Sequence, residues 1–129
     1  MNHLCVIILM TSCLYMSSCQ SDNISSDYSF LEESQDDKVP ETLLFSNNTD
    51  IQEEHNYYDA LRTVQKKYPD RLNSTHIVSE SDHSLVNYYG IDTFPTLLLV
   101  EDLEVKLRIE GANEFSSILN ELKYTLLDD

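Results

Sequence analysis

The chain has 129 residues, with 23 acidic side chains against 8 basic ones and a net charge of -15. That balance excludes nucleic acid and anionic lipid headgroups as binding surfaces, because each phosphate contact needs a Lys or Arg, and it favours solubility and self-repulsion instead. The length leaves room for one small domain, and the first forty residues differ in composition from the rest.

Leu4 to Met16 is dominated by apolar residues and is too short for a membrane-spanning helix, which needs about 20 of them. It reads as the core of a signal peptide covering residues 1–18. Met16-Ser17-Ser18-Cys19 follows, a large apolar residue, two small ones and a Cys, and it resembles a bacterial lipobox. That resemblance implies a lipid on Cys19 and a protein held on the extracytoplasmic face of a bacterial cell membrane. Cys13 is the competing position, but Leu14, Tyr15 and Met16 follow it where a polar tether is expected. The leader has no Lys or Arg, so an ordinary cleaved signal peptide is the alternative. All 3 cysteines lie at or before position 19, which leaves the rest of the chain no thiol for a disulfide, a Cys-based metal site or a nucleophile.

Residues 19–38 form the lipidated Cys and an acidic tether, rich in Ser, Asp, Glu and Gln, whose few apolar residues cannot offset the entropy of ordering it. Within it Tyr28, Phe30 and Leu31 are expected to contribute at most a transient turn or loose packing. The domain is expected over residues 39–129.

Pro40 to Ser46 reads as a short apolar strand. Asp50 with Glu53 fits a capping box, and Tyr57, Leu61, Val64 and Tyr68 share one face of the following helix, which Pro69 ends. Ser74 to Glu80 is a second strand around Ile77 and Val78, and Asp82 to Tyr89 a short helix closed by a left-handed Gly90. Leu97 to Val100 has no polar interruption, the mark of a strand buried on both faces. Val105, Leu107 and Ile109 alternate with charged residues, as in a half-buried strand. The hairpin between these two strands, Glu101-Asp102-Leu103-Glu104, lacks the usual Asn-Gly or Asp-Gly. Gly111 breaks the strand, Asn113 is the expected helix cap, and Phe115, Ile118, Leu119, Leu122 and Leu126 form the apolar stripe of a last helix.

Tyr89-Gly90-Ile91, three residues, then Pro95-Thr96 and the apolar strand resemble the thioredoxin family. The resemblance covers Pro40 to Leu127. It implies an α/β fold of minimal βαβαββα order, with a mixed four-stranded sheet flanked by helices and a cis peptide bond before Pro95. Aligned through Tyr68, Leu72 and Pro95, the family's redox pair falls on Ile51 and Glu54, and its buried acid at about Phe45. No residue there carries a thiol, so disulfide exchange, which requires a thiolate, is not expected. In the family the backbone before the cis proline pairs with an extended peptide, which makes Thr93, Phe94, Pro95 and Thr96 the implied peptide-binding residues.

The histidines His3, His55, His76 and His83 have no metal-ligand spacing, and His55 beside Glu53 and Glu54 reads better as an acidic helix start than as a metal or acid/base cluster. Of the tyrosine pairs 57/58 and 88/89, one member each is expected in the core and the other at a rim. No cofactor is expected. The leading expectation is a redox-inactive, lipid-anchored envelope module that binds a protein or peptide or serves structurally. It resembles small peptidoglycan-associated lipoproteins of Gram-positive bacteria in size, leader and layout. The alternative is an accessory protein working with a partner's thiols. Oligomeric state is left open by the sequence.

Overall fold

Six consecutive residues, Glu41 to Ser46, are all buried in the first strand, so the centre of the sheet is set early in the chain. The computed structural model describes residues 28–33 and 39–128. Cys13, Cys19 and the signal peptide lie outside the described residues. In order, the elements are α1 (Ser29–Glu33), β1 (Glu41–Ser46), α2 (Ile51–Lys67), β2 (Thr75–Ser79), α3 (His83–Tyr88), β3 (Thr96–Glu101), β4 (Glu104–Glu110) and α4 (Phe115–Leu127). The sheet order is β2-β1-β3-β4, with β1 parallel to β2 and antiparallel to β3, and β3 antiparallel to β4. From β1 onward this is the βαβαββα order expected, with a mixed four-stranded sheet.

Alternation along the strands divides the core into two layers. Leu44, Leu97, Leu99 and Ile109 pack under α2 and α4 through Tyr57, Leu61, Val64, Ile118 and Leu122. Leu43, Phe45, Leu98 and Val100 face the other way, against Leu31 of α1, Leu85 of α3, Tyr89 and Ile91. β3 is therefore buried on both faces, as its unbroken apolar run predicts. Asp50 caps α2, accepting the N–H groups of Gln52 at 3.1 Å and Glu53 at 3.2 Å, which is the Asp50 half of the capping box expected. Gly90 ends α3 at φ +61°, a left-handed position that costs a residue with a Cβ about 1–2 kcal/mol.

Four local expectations are corrected. The segment treated as tether contributes α1: Leu31 is buried, Phe30 stacks on His76 with ring centroids 4.0 Å apart, and the Tyr28 hydroxyl donates to Asp82 at 2.7 Å. Three apolar side chains in four residues are enough because they meet an apolar layer that β1, β2 and α3 already form. Val105 does not share a face with Leu107 and Ile109, since a bulge opposes Leu99 to Leu107 and Val100 to Val105 and turns Val105 toward the α1 and α3 side. Asn113 does not cap α4. Glu114 stands at that position without a side-chain bond, while the Asn113 amide is drawn to the Glu110 and Gly111 carbonyls. Phe115 lies outside the buried stripe. The hairpin lacking glycine turns through Asp102 at φ 51° and Leu103 at φ 64°, a geometry that suits the twist of paired strands.

Both tyrosine pairs divide as expected, with Tyr57 and Tyr89 buried and Tyr58 and Tyr88 at the surface. The Tyr89 hydroxyl is buried without a hydrogen-bond partner, and burial, followed by the neighbouring Tyr88, pushes its phenol up to about 12. The folded chain therefore keeps this proton where the unfolded chain has released it, and stability falls as pH rises from about 10 through about 12. Tyr89→Phe is expected to be at least as stable at pH 7, by up to about 1 kcal/mol, because it removes an unsatisfied buried polar group. Urea titrations at neutral and alkaline pH check both, with a shallower alkaline decline expected in the variant.

Candidate functional site

The Pro95 loop lies where α3 hands the chain to β3, and its geometry is built from local bonds. The Phe94–Pro95 peptide is cis, as the resemblance implies. The Thr96 hydroxyl donates to the Thr93 carbonyl at 2.6 Å, and the Gly111 N–H donates to the Pro95 carbonyl at 2.8 Å. Gly111 sits at φ +74°, and a Cβ placed there would lie 3.4 Å from the Thr93 methyl group, so glycine serves both the turn and the close approach. Pro95 and Thr96 are buried, whereas Thr93 and Phe94 are half-buried. Thr93, Phe94, Pro95 and Thr96 are thus brought together, while Cys19 lies outside the described residues.

A side-chain network joins this loop to the start of α2. Tyr57 donates its hydroxyl to the Gly111 carbonyl at 2.5 Å, Asn113 donates to the Tyr57 oxygen at 3.2 Å, and Asn56 donates to the Asn113 carbonyl at 3.0 Å. Burial raises the Tyr57 phenol above its usual range, the Asn113 bond opposes this, and nearby Glu53 and Glu110 add to it. The hydroxyl therefore stays a donor across ordinary pH. Next to the network, Gln52, Glu53, Asn56, Ala112, Asn113 and Glu114 line a cavity of about 200 Å³. The sequence reading missed Tyr57, Asn56 and Asn113 as supports of the loop, because their bonds join positions more than fifty residues apart.

Ile51 and Glu54, where the alignment through Tyr68, Leu72 and Pro95 places the family's redox pair, are set in contrasting ways. Ile51 is 77% exposed on the first turn of α2, an isolated apolar side chain in water. Glu54 is buried, and Ser46 at the end of β1 donates its hydroxyl to the Glu54 carboxyl at 2.5 Å. Glu54 also lies within the first turn of a seventeen-residue helix, where the dipole favours a carboxylate. Phe45 does not face this position. Its ring packs in the opposite layer, 6.3 Å from Tyr89, and Ser46 is the β1 residue turned toward Glu54. Neither side chain at the two positions carries a thiol.

His55 points along the exposed side of α2 to Asp59 at 3.3 Å, and His76 lies 3.3 Å from the buried Glu41. Among the described residues, no group of three or more His, Cys, Asp or Glu side chains is placed to hold a metal ion. No helix among them is long and apolar enough to cross a membrane.

No family model matches the chain. It is 31% identical over 85 residues to the Pal-related lipoprotein of Bacillus subtilis (strain 168), a match that covers 65% of this chain. The chain spans 66% of that relative, just short of two thirds of its length. Among solved structures it is similar to thioredoxin O2 of Arabidopsis thaliana in the oxidised state, with a TM-score of 0.61 and 18% identity over 79% of this chain and 87% of the other. Thioredoxin O1 of the same plant gives a TM-score of 0.59 at 17% identity, covering 80% of this chain and 91% of the other. The chain has a thioredoxin-like fold, carries no Cys-x-x-Cys pair and is similar in sequence to the Pal-related lipoprotein.

Proposed function

We propose that the protein is a redox-inactive thioredoxin-like lipoprotein of the bacterial cell envelope, held by lipid on Cys19, that uses the Pro95 loop to bind an extended peptide. One observation carries the binding reading. Neither the N–H nor the C=O of Phe94 has a hydrogen-bond partner among the described residues, although the groups on either side of it, Thr93 C=O and Pro95 C=O, are both bonded. A donor and an acceptor on one residue are what an added strand pairs with. The Tyr57, Asn113 and Asn56 network holds the loop in place, so little ordering entropy is lost on binding.

The lipoprotein relative and the Met16-Ser17-Ser18-Cys19 sequence support the anchor. With Tyr28 docked on Asp82, only nine residue steps separate Cys19 from the folded body. Nine residues reach at most about 32 Å even when fully extended. Tyr28 and the surface it docks on would therefore stand within that distance of the lipid anchor.

The reading without redox chemistry rests on Ile51 and Glu54. Purified protein lacking residues 1–19 is expected to reduce insulin disulfides no faster than dithiothreitol alone, and to leave a reduced dithiol peptide unoxidised. Turnover above that background in either assay would overturn it.

A further inference from the structure

The two edges of the sheet are protected very differently. β4 carries Glu104, Lys106, Arg108 and Glu110, two ion pairs at 3.4 and 3.2 Å, and a bulge opposite β3. These are the devices by which edge strands avoid pairing with other chains. β2 has none of them: Thr75-His76-Ile77-Val78-Ser79 contains no Asp, Glu, Lys, Arg or Pro, and its register with β1 is unbroken from Thr42 and Thr75 to Ser46 and Ser79. Among the described residues, no strand lies on its outer side.

The direction of its free groups follows from one bond. The Glu80 N–H donates to the Ser46 carbonyl at 2.9 Å, so Glu80 turns its backbone toward β1. In a parallel strand the backbone groups alternate sides residue by residue, which turns Val78 and His76 inward and Thr75, Ile77 and Ser79 outward. Ile77 is the middle residue of the strand, and its side chain is 52% exposed.

We propose that β2 pairs with β2 of a second copy of this chain, antiparallel and centred on Ile77, to make one eight-stranded sheet across a two-fold axis. In this register Ile77 lies opposite Ile77 of the other copy and exchanges both backbone bonds with it, and Thr75 lies opposite Ser79. An apolar side chain covers its own counterpart, and small hydroxyl residues meet at the ends. The strip admits a second copy because it is uncharged, although the net charge drives the two bodies apart elsewhere. In a chain of net charge -15, this is a strip where two copies meet without placing like charges opposite each other. A five-residue strand pair covers less than the roughly 800 Å² per partner of a standard stable interface, so the dimer is weak in solution. It is also strengthened by salt, because screening relieves the repulsion between two acidic bodies while leaving strand pairing intact.

Sedimentation of the full chain in mild detergent tests this, with salt raised from about 0.1 M to about 1 M. A reversible dimer that tightens with salt is expected. Ile77→Lys places a charge opposite itself and is expected to weaken association about a hundredfold, while Ile77→Val keeps it within about threefold. Tyr124→Lys, at a more exposed site on α4, should leave it unchanged. Circular dichroism confirms that each variant is folded. A chain that stays monomeric at millimolar concentration in high salt, a dimer indifferent to Ile77→Lys, or one that Tyr124→Lys disrupts equally would overturn the proposal.

Discussion

Leu98→Ala is expected to destabilise the fold by about 2–5 kcal/mol. Leu98 is fully buried on β3, beside Leu43 of β1 on one side and Arg108 of β4 on the other. It belongs to the layer that also contains Leu31, Phe45, Leu85 and Ile91, so the cavity left by truncation opens where α1, α3 and the loop after α3 meet the sheet. The neighbours cannot close it cheaply, because β3 is held by ladders on both sides and cannot shift toward α1 and α3. Small domains hold only about 5–15 kcal/mol in total. Chemical denaturation followed by circular dichroism should show a lower midpoint with an unchanged slope. A loss below about 1 kcal/mol would mean that this layer is loosely packed.

Glu54→Ala is expected to cost about 1–3 kcal/mol, an effect out of proportion to a helix surface substitution. Glu54 accepts the Ser46 hydroxyl at the start of α2, and Ser46 is itself buried. Removing the carboxyl leaves that hydroxyl with Asn48 alone, whose N–H donates to Ser46 Oγ at 3.2 Å. It also removes an acidic group from the first turn of α2. Ser46→Ala and Glu54→Ala combined should cost less than the sum of the two, because the second removal no longer strands a partner. Strict additivity, measured by urea denaturation of the four proteins, would show that the two side chains do not stabilise one another. Ser46 and Glu54 therefore form a built polar contact between β1 and α2.

Much of the fold was legible because its signals are local. Pro95-Thr96 followed by four apolar residues specifies a strand buried on both faces, Asp50 with its following acids specifies a helix start, and Gly90 marks a left-handed helix end. The Pro95 loop was legible for the same reason, its residues being contiguous in the chain. What escaped depends on pairing at a distance. The fate of Val105 is decided by how β4 registers against β3, and no alternation within β4 records the bulge. Asn113 has the right side chain for a cap, but two carbonyls and the Tyr57 hydroxyl compete for it, one of them on a helix 56 residues earlier. The docking of α1 escaped because Tyr28, Phe30 and Leu31 stand in a polar stretch, and only the finished layer of β1, β2 and α3 gives them something to cover. Ser46 escaped because an alignment by count placed the family's acid on Phe45, one residue away and on the opposite face of the strand.

The most direct test of peptide binding by the Pro95 loop is a comparison of native protein with Thr93→Arg as bait in solubilised bacterial envelopes. Thr93 is half-buried at the rim of the loop, beside Gly111, and its hydroxyl makes only an exposed bond to Asp92 at 3.2 Å. An Arg there is expected to change stability by no more than about 0.5 kcal/mol while projecting across the ground an added strand must occupy. Quantitative mass spectrometry of the captured proteins, with amide exchange of Phe94 in the purified complex, gives the result. Recovery should fall about tenfold or more with Thr93→Arg, and the Phe94 amide should become protected when the native protein is bound. Equal recovery of every partner by the two baits, with no protection at Phe94, would contradict the account and leave the loop a structural turn.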